Sequence, residues 1–205
     1  MTQNFLIFPD MPYSEMVFVE GNKDIDDFYI GKYLVTQAIW VRVMGKEANK
    51  SRFKSEHRPV ETVSWDTITQ IFLPKLRKRE GKEYTLPSET VWEYAAKGGK
   101  YSKNYKYAGS NDLNEVGWYN ENSHRESKPV GLKSPNELGL YDLSGNLWEW
   151  CSDKWKDDSE SRVIWGGSWF NDQRGCRPSY CYCFRSDTAY SDAGFRLVCS
   201  FTSQR

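Results

Sequence analysis

The stretch Arg162–Val198, RVIWGGSWFNDQRGCRPSYCYCFRSDTAYSDAGFRLV, falls into three parts. It opens on Arg162, Val163, Gly166, Gly167, Ser168 and Trp169, and it closes on Gly194, Phe195, Arg196, Leu197 and Val198. Glycines set among large apolar residues suit tight turns and packed rings. The middle is different: from Arg174 to Arg196 there is no Lys, Glu, Gln, Met or Trp, although the preceding chain is rich in Lys and Glu. Chance in a short window and selection for a small polar loop are two explanations. A third is chemical. Tyr, Cys, Phe, Ser, Asp, Ala, Thr, Arg and Gly all have codons ending in a pyrimidine, and the five missing residues do not.

Outward from this stretch, composition bounds the answer. The chain has 205 residues, 39% of them hydrophobic and 16% aromatic, enough for one packed domain spanning 1–205. Nine Trp and thirteen Tyr suit a loop-rich fold pinned by rings with polar tips. The formal net charge is zero, which gives no ground for a nucleic-acid or anionic-membrane partner. His57 and His124 stand too far apart in sequence for metal-ligand spacing and read as surface residues. Cys151, Cys176, Cys181, Cys183 and Cys199 form no CxxC pair and read as free thiols in a reducing compartment. The apolar run Phe5–Phe8 is too short for a signal peptide or a membrane span. A cytoplasmic protein is therefore expected.

Upstream, 16–20 and 27–33 are rich in Val, Phe, Ile and Tyr and read as strands. Thr36 caps a predicted helix over 37–44 that Gly45 ends. Pro59–Trp65 reads as extended, with Val60, Val63 and Trp65 inward. Ser64 caps a second helix over 65–79 whose Ile68, Ile71, Phe72 and Leu76 share a face. Pro74 is expected to kink that helix or set its end. Its basic last turn reads as a solvated terminus favourable to the helix dipole. Tyr84–Leu86 reads as a strand, and Ser88 opens a third helix with Trp92, Ala95 and Ala96 inward. Residues 101–136 read as a long loop tied down by Trp118, Tyr119 and Val130. Trp148, Trp150, Trp169 and Phe195 are expected in the core.

The runs FYIGKYLVTQAIW, RPVETVSW, YTLPSETVWEYAAKGG, NELGLYDLSGNLWEWC, RVIWGGSW and GFRLV resemble, in this order, the formylglycine-generating enzyme (sulfatase-modifying factor) family. The resemblance implies an α+β, C-type-lectin-type fold: two to three helices on small, twisted antiparallel sheets, with much irregular chain. It also implies a copper-dependent oxidase acting on a sulfatase cysteine, with two cysteine ligands shortly after the GGS[WY] motif. Here Asn171 falls on the first ligand position and Cys176 on the second. An amide does not replace a thiolate at a soft Cu(I) site. No catalytic residue is therefore assigned, and the oxidase stands as the alternative. Some relatives bind calcium near the GNxWEW motif, where this chain has Asn146 and Glu149. Hydrogen bonding to loop backbone is the preferred role for both, leaving no cofactor assigned.

The close of the chain is also similar to the variable region of diversity-generating retroelement proteins, in which a domain of this family ends in RVxRGGSW, an Asn-rich template-like stretch and GFRLV. Mutagenesis at template adenines turns AAC codons into other codons ending in C, and the residues of the middle stretch are such products. This resemblance implies a ligand-binding module with a diversified face and an unidentified protein or cell-surface partner. It also extends the expected location to a phage particle or surface display. The implied contact residues are Phe170, Asn171, Asp172, Arg174, Tyr180, Cys181, Tyr182, Cys183, Phe184, Asp187, Tyr190, Ser191 and Asp192. Of these, Phe170, Asp172, Arg174, Tyr180, Tyr182, Phe184, Asp187, Tyr190 and Asp192 are expected exposed on one face and individually dispensable for folding. Trp165 stands where those proteins commonly have Arg.

Overall fold

The structure, a computed structural model, describes residues 3–156 and 158–200. Three short apolar strands come first: β1 (Phe5–Leu6), β2 (Glu15–Val19) and β3 (Phe28–Gly31). They pair in sequence order, antiparallel. Near the end of the chain β9 (Val198–Ser200) enters between β3 and β4 (Tyr84–Thr85), completing a five-stranded sheet in the order β1-β2-β3-β9-β4. A second sheet holds β5 (Trp148–Trp155), β6 (Asp158–Trp165), β7 (Cys181–Arg185) and β8 (Ala193–Gly194), in the order β7-β6-β5-β8. Its pairs are antiparallel except β5 with β8. The stretch 162–198 thus starts in one sheet and is sewn into both by its close. Its middle touches that frame through β7, at the edge of the second sheet, and is irregular on either side of it.

The helices follow their caps. α1 (Gln37–Met44) starts where the Thr36 hydroxyl accepts the Ile39 N–H, and Gly45 ends it. The second helical stretch differs from expectation. It runs as α2 (Trp65–Thr67), a π-helical turn (Ile68–Phe72) and α3 (Leu73–Glu80), ending at Gly81 in the left-handed region. Pro74 has no N–H to donate one turn back, and the widened turn just before it absorbs that loss. Pro74 therefore does not set the end. The extra residue in the turn also rotates the face: Ile68, Phe72, Leu73 and Leu76 are buried, and Ile71 points out at 43% exposure. α4 (Glu89–Ala96) buries Trp92, Ala95 and Ala96 as expected.

Residues 101–136 are mostly irregular, interrupted by α5 (Leu113–Val116). Tyr119 and Val130 are buried there, while Trp118 is only half-buried, with the Lys133 ammonium 4.1 Å from its ring centroid. The core is aromatic. Trp40 stacks on Phe72 at 5.1 Å, and Phe195 meets Phe72 edge-on at 5.2 Å. Trp148, Trp150, Trp169 and Phe195 are all buried, and Trp169 packs with Leu34, Val130 and Leu147.

Candidate functional site

β6 ends in a turn that only glycine fits. Gly166 and Gly167 lie at φ 95° and 73°. A Cβ on Gly167 would sit 2.7 Å from the Gly175 carbonyl oxygen and 2.8 Å from Cys176 Sγ. That close approach folds residues 170–177 back on the turn. Short polar side chains then hold the loop from within. The Asn171 amide oxygen accepts the Ser168 N–H at 3.0 Å and the Ser168 hydroxyl at 2.6 Å. Asp172 Oδ1 accepts the N–H groups of Arg174 and Gly175, each at 3.0 Å.

β7 supplies the other wall. It is an edge strand, and its side chains alternate. Tyr182 and Phe184 face one side, where Phe184 stacks on Tyr190 at 4.0 Å and meets Trp150 at 5.9 Å. Tyr180 lies 6.3 Å from Trp148. Tyr182 is outermost, 51% exposed, with its ring 6.2 Å from Phe184. Between this wall and the loop lies a cleft of about 510 Å³. It is lined by Trp148, Asn171, Asp172, Arg174, Gly175, Tyr180, Tyr182, Phe184 and Asp192.

The expected contact residues therefore divide. Asn171, Asp172, Arg174, Tyr180, Tyr182, Phe184 and Asp192 meet at the cleft. Phe170 is 62% exposed on the flanking loop. Cys181 turns to the opposite face and packs against the cluster of Trp92, Val163 and Trp165, and alternation puts Cys183 on that face too. Burial pushes both thiols up, so neither offers a ready thiolate. Asp187 is exposed but outside the cleft lining, ion-paired with Arg185 at 3.1 Å and held below the usual carboxylate range by it. The Ser191 carbonyl accepts the Trp169 indole N–H at 3.4 Å. Dispensability for folding also needs correction: Tyr180, Phe184 and Tyr190 pack against the main core cluster, so burial gives them a structural share.

Trp148 and Gly175 line the cleft although the sequence nominated neither. Trp148 is so buried, at 3% exposure, that its GNLWEW context marks it as core, and only the fold shows its ring reaching the cleft floor. Asp192 is the electrostatic centre. Burial raises its carboxyl above the usual range, and its side-chain partner is the Ser168 hydroxyl at 3.3 Å.

A two-thiolate copper site does not fit these residues. The Asn171 amide oxygen is committed to Ser168, and Cys176 is fully buried with its thiol pushed up to about 12 by desolvation. Calcium fits no better at Asn146 and Glu149. Asn146 hydrogen-bonds the Lys128 N–H and carbonyl, and both Glu149 oxygens are taken by Arg196 and Trp92. Asp142, a carboxylate the sequence left out, approaches Asn146 at 3.3 Å but is itself bonded to the Gly131 N–H at 2.8 Å.

Residues 12–201 match the family described as the sulfatase-modifying factor enzyme 1-like domain. The chain belongs to this family. Within it, the chain is 34% identical over 239 residues to the chaperone protein LppX of Paenibacillus barcinonensis, covering 90% of this chain and 84% of that one. It is 30% identical over 179 residues to the formylglycine-generating enzyme of Streptomyces coelicolor, covering 69% of this chain and 52% of the enzyme, so it spans about half the enzyme's length. Treponema denticola variable protein 1 superposes with a TM-score of 0.85 at 25% identity, over 97% of this chain and 99% of that one. The fold is the α+β, C-type-lectin-type arrangement of this family, as the sequence resemblance implied. No helix among the described residues is long and apolar enough to cross a membrane.

Proposed function

We propose that this domain is a non-catalytic ligand-binding module, a variable protein of the diversity-generating retroelement kind, whose recognition surface is the cleft between β7 and the 170–177 loop. One observation carries the reading: the unusual middle of 162–198 supplies nearly all of that cleft, while the flanks on either side are buried in the two sheets. A buried frame holding replaceable aromatic and polar groups is the arrangement of a rigid paratope. Similarity to a variable protein over the full length supports it. Similarity to a chaperone points the same way, since holding another protein needs a surface rather than a reacting group. The copper oxidase is disfavoured by Asn171 and by the neutral, buried Cys176.

The partner is a protein or a cell-surface ligand. The test is to pan displayed peptide and protein-domain libraries on the immobilised chain, then measure the recovered binders on a variant carrying Phe170→Ser and Tyr182→Ser. Both rings are exposed, so the variant keeps its melting temperature. Affinity is expected to fall by about tenfold or more, roughly 1.4 kcal/mol. Binders that hold the folded variant at full affinity would overturn the assignment.

A further inference from the structure

We propose that the cleft takes a side-chain cation of its partner, a lysine ammonium or an arginine guanidinium, with Asp192 as the counter-charge. This inference rests on the recognition reading above and names the chemistry of the group recognised. The walls are the rings of Trp148, Tyr180, Tyr182 and Phe184, whose faces carry the negative part of the aromatic quadrupole. The charged lining residues are Asp172, Asp192 and Arg174, an excess of negative charge. Arg174 already shows the preference, with its guanidinium carbon 5.9 Å from the Tyr180 ring centroid.

Asp192 is the decisive group. Among the described residues no lysine, arginine or histidine forms an ion pair with it. Its one side-chain donor is the Ser168 hydroxyl, which has a single proton and a closer acceptor in Asn171, at 2.6 Å against 3.3 Å. The carboxylate is thus half-buried, poorly solvated and short of donors. Desolvating an unpaired charge is unfavourable, and a cation arriving beside it relieves that state. A lysine or arginine side chain suits the route: its aliphatic stem lies along the rings while its head reaches the carboxylate. An acidic side chain meets repulsion from Asp172 and Asp192, and a neutral polar one leaves Asp192 unpaired. Arg174 is then an internal competitor for the same ring faces.

The test uses four acetylated, amidated pentapeptides, Gly-Gly-X-Gly-Gly, with X as Lys, Arg, Gln or Glu, titrated against the full chain and followed by NMR at the Trp148 indole and the Tyr182 amide. The Lys or Arg peptide, or both, is expected to bind with Kd on the order of 1 mM. The Gln peptide should bind about tenfold more weakly, and the Glu peptide should not bind. Asp192→Asn, which keeps the side chain's size and its turn, should remove the preference for the cation. Arg174→Ala should strengthen cation binding about threefold. Equal shifts with Gln and Lys, or an unchanged preference in folded Asp192→Asn, would overturn the inference. If panned binders are lost on the Phe170→Ser, Tyr182→Ser variant while the peptides show no cation preference, the recognition surface stands and the cation chemistry falls.

Discussion

Arg196 and Glu149 face each other in a bidentate pair with both side chains fully buried: Nη2 lies 2.6 Å from Oε1 and Nε 2.7 Å from Oε2. Two further Arg196 N–H groups donate to the Gly31 and Tyr141 carbonyls at 2.9 and 2.8 Å, and Glu149 also accepts the Trp92 indole N–H at 2.7 Å. The pair ties GFRLV to GNLWEW, and so fixes where the middle stretch ends. Removing one partner strands a buried charge. Arg196→Met should therefore cost about 3–5 kcal/mol in urea unfolding. A loss below about 1 kcal/mol would show that the pair is not holding the frame.

The ring stack makes a graded prediction within a single strand. Phe184 packs on Tyr190 and Trp150, and Tyr182 stands outside them. Phe184→Ser should lower stability by about 2 kcal/mol, less than the full cost of emptying a core site because the ring is only partly buried. Tyr182→Ser should stay within about 0.5 kcal/mol. Equal effects from the two substitutions would mean that β7 does not present one ring inward and one outward.

Asp142 gives a pH dependence. It is buried, and desolvation pushes its carboxyl from 3.8 up to about 6 despite the Gly131 N–H and the nearby Arg196. The folded chain therefore holds this proton at a pH where the unfolded chain has released it. Stability from this group is greatest below pH 3.8 and falls as pH rises through 6, by about 3 kcal/mol at most. Asn tolerates the left-handed backbone at this position, where φ is 59°. Asp142→Asn should flatten the slope of unfolding free energy between pH 4 and 6. An identical slope in the variant would place the titration elsewhere.

Much of this was legible in the sequence because local signals and fold agreed. Thr36, Ser64 and Ser88 cap where expected, and Trp92, Ala95 and Ala96 face in. Order of motifs carried the family. What escaped was set by geometry between distant segments. The π turn before Pro74 turned Ile71 outward, which a 3.6-residue period does not anticipate. Strand alternation split Cys181 and Cys183 from Tyr182 and Phe184, because residue identity alone does not give a strand its register. Asn171 read as a displayed group; it lines the cleft and is also the acceptor that closes the Ser168 turn. Trp148 read as core alone and also floors the cleft.

The chemistry at Asn171 and Cys176 predicts a negative result. Incubation with copper, oxygen and a sulfatase-type cysteine peptide should yield no aldehyde by mass spectrometry, because one ligand position is a committed amide and the other a neutral, buried thiol. Asn171→Cys alone should not restore turnover while Cys176 stays shut in the cluster of Tyr107, Leu113, Val116 and Tyr119. Aldehyde formed by the unmodified chain would return the domain to the enzymes.

The central claim is that ligand is bound between β7 and the 170–177 loop. Hydrogen exchange on the chain, free and saturated with a panned ligand, tests it directly. Slowed exchange is expected in peptides covering 170–184 and around Asp192, with the α1 face unchanged. Protection confined to residues 37–56, beside the separate groove lined by Met11, Val41, Lys46 and Lys54, would contradict it.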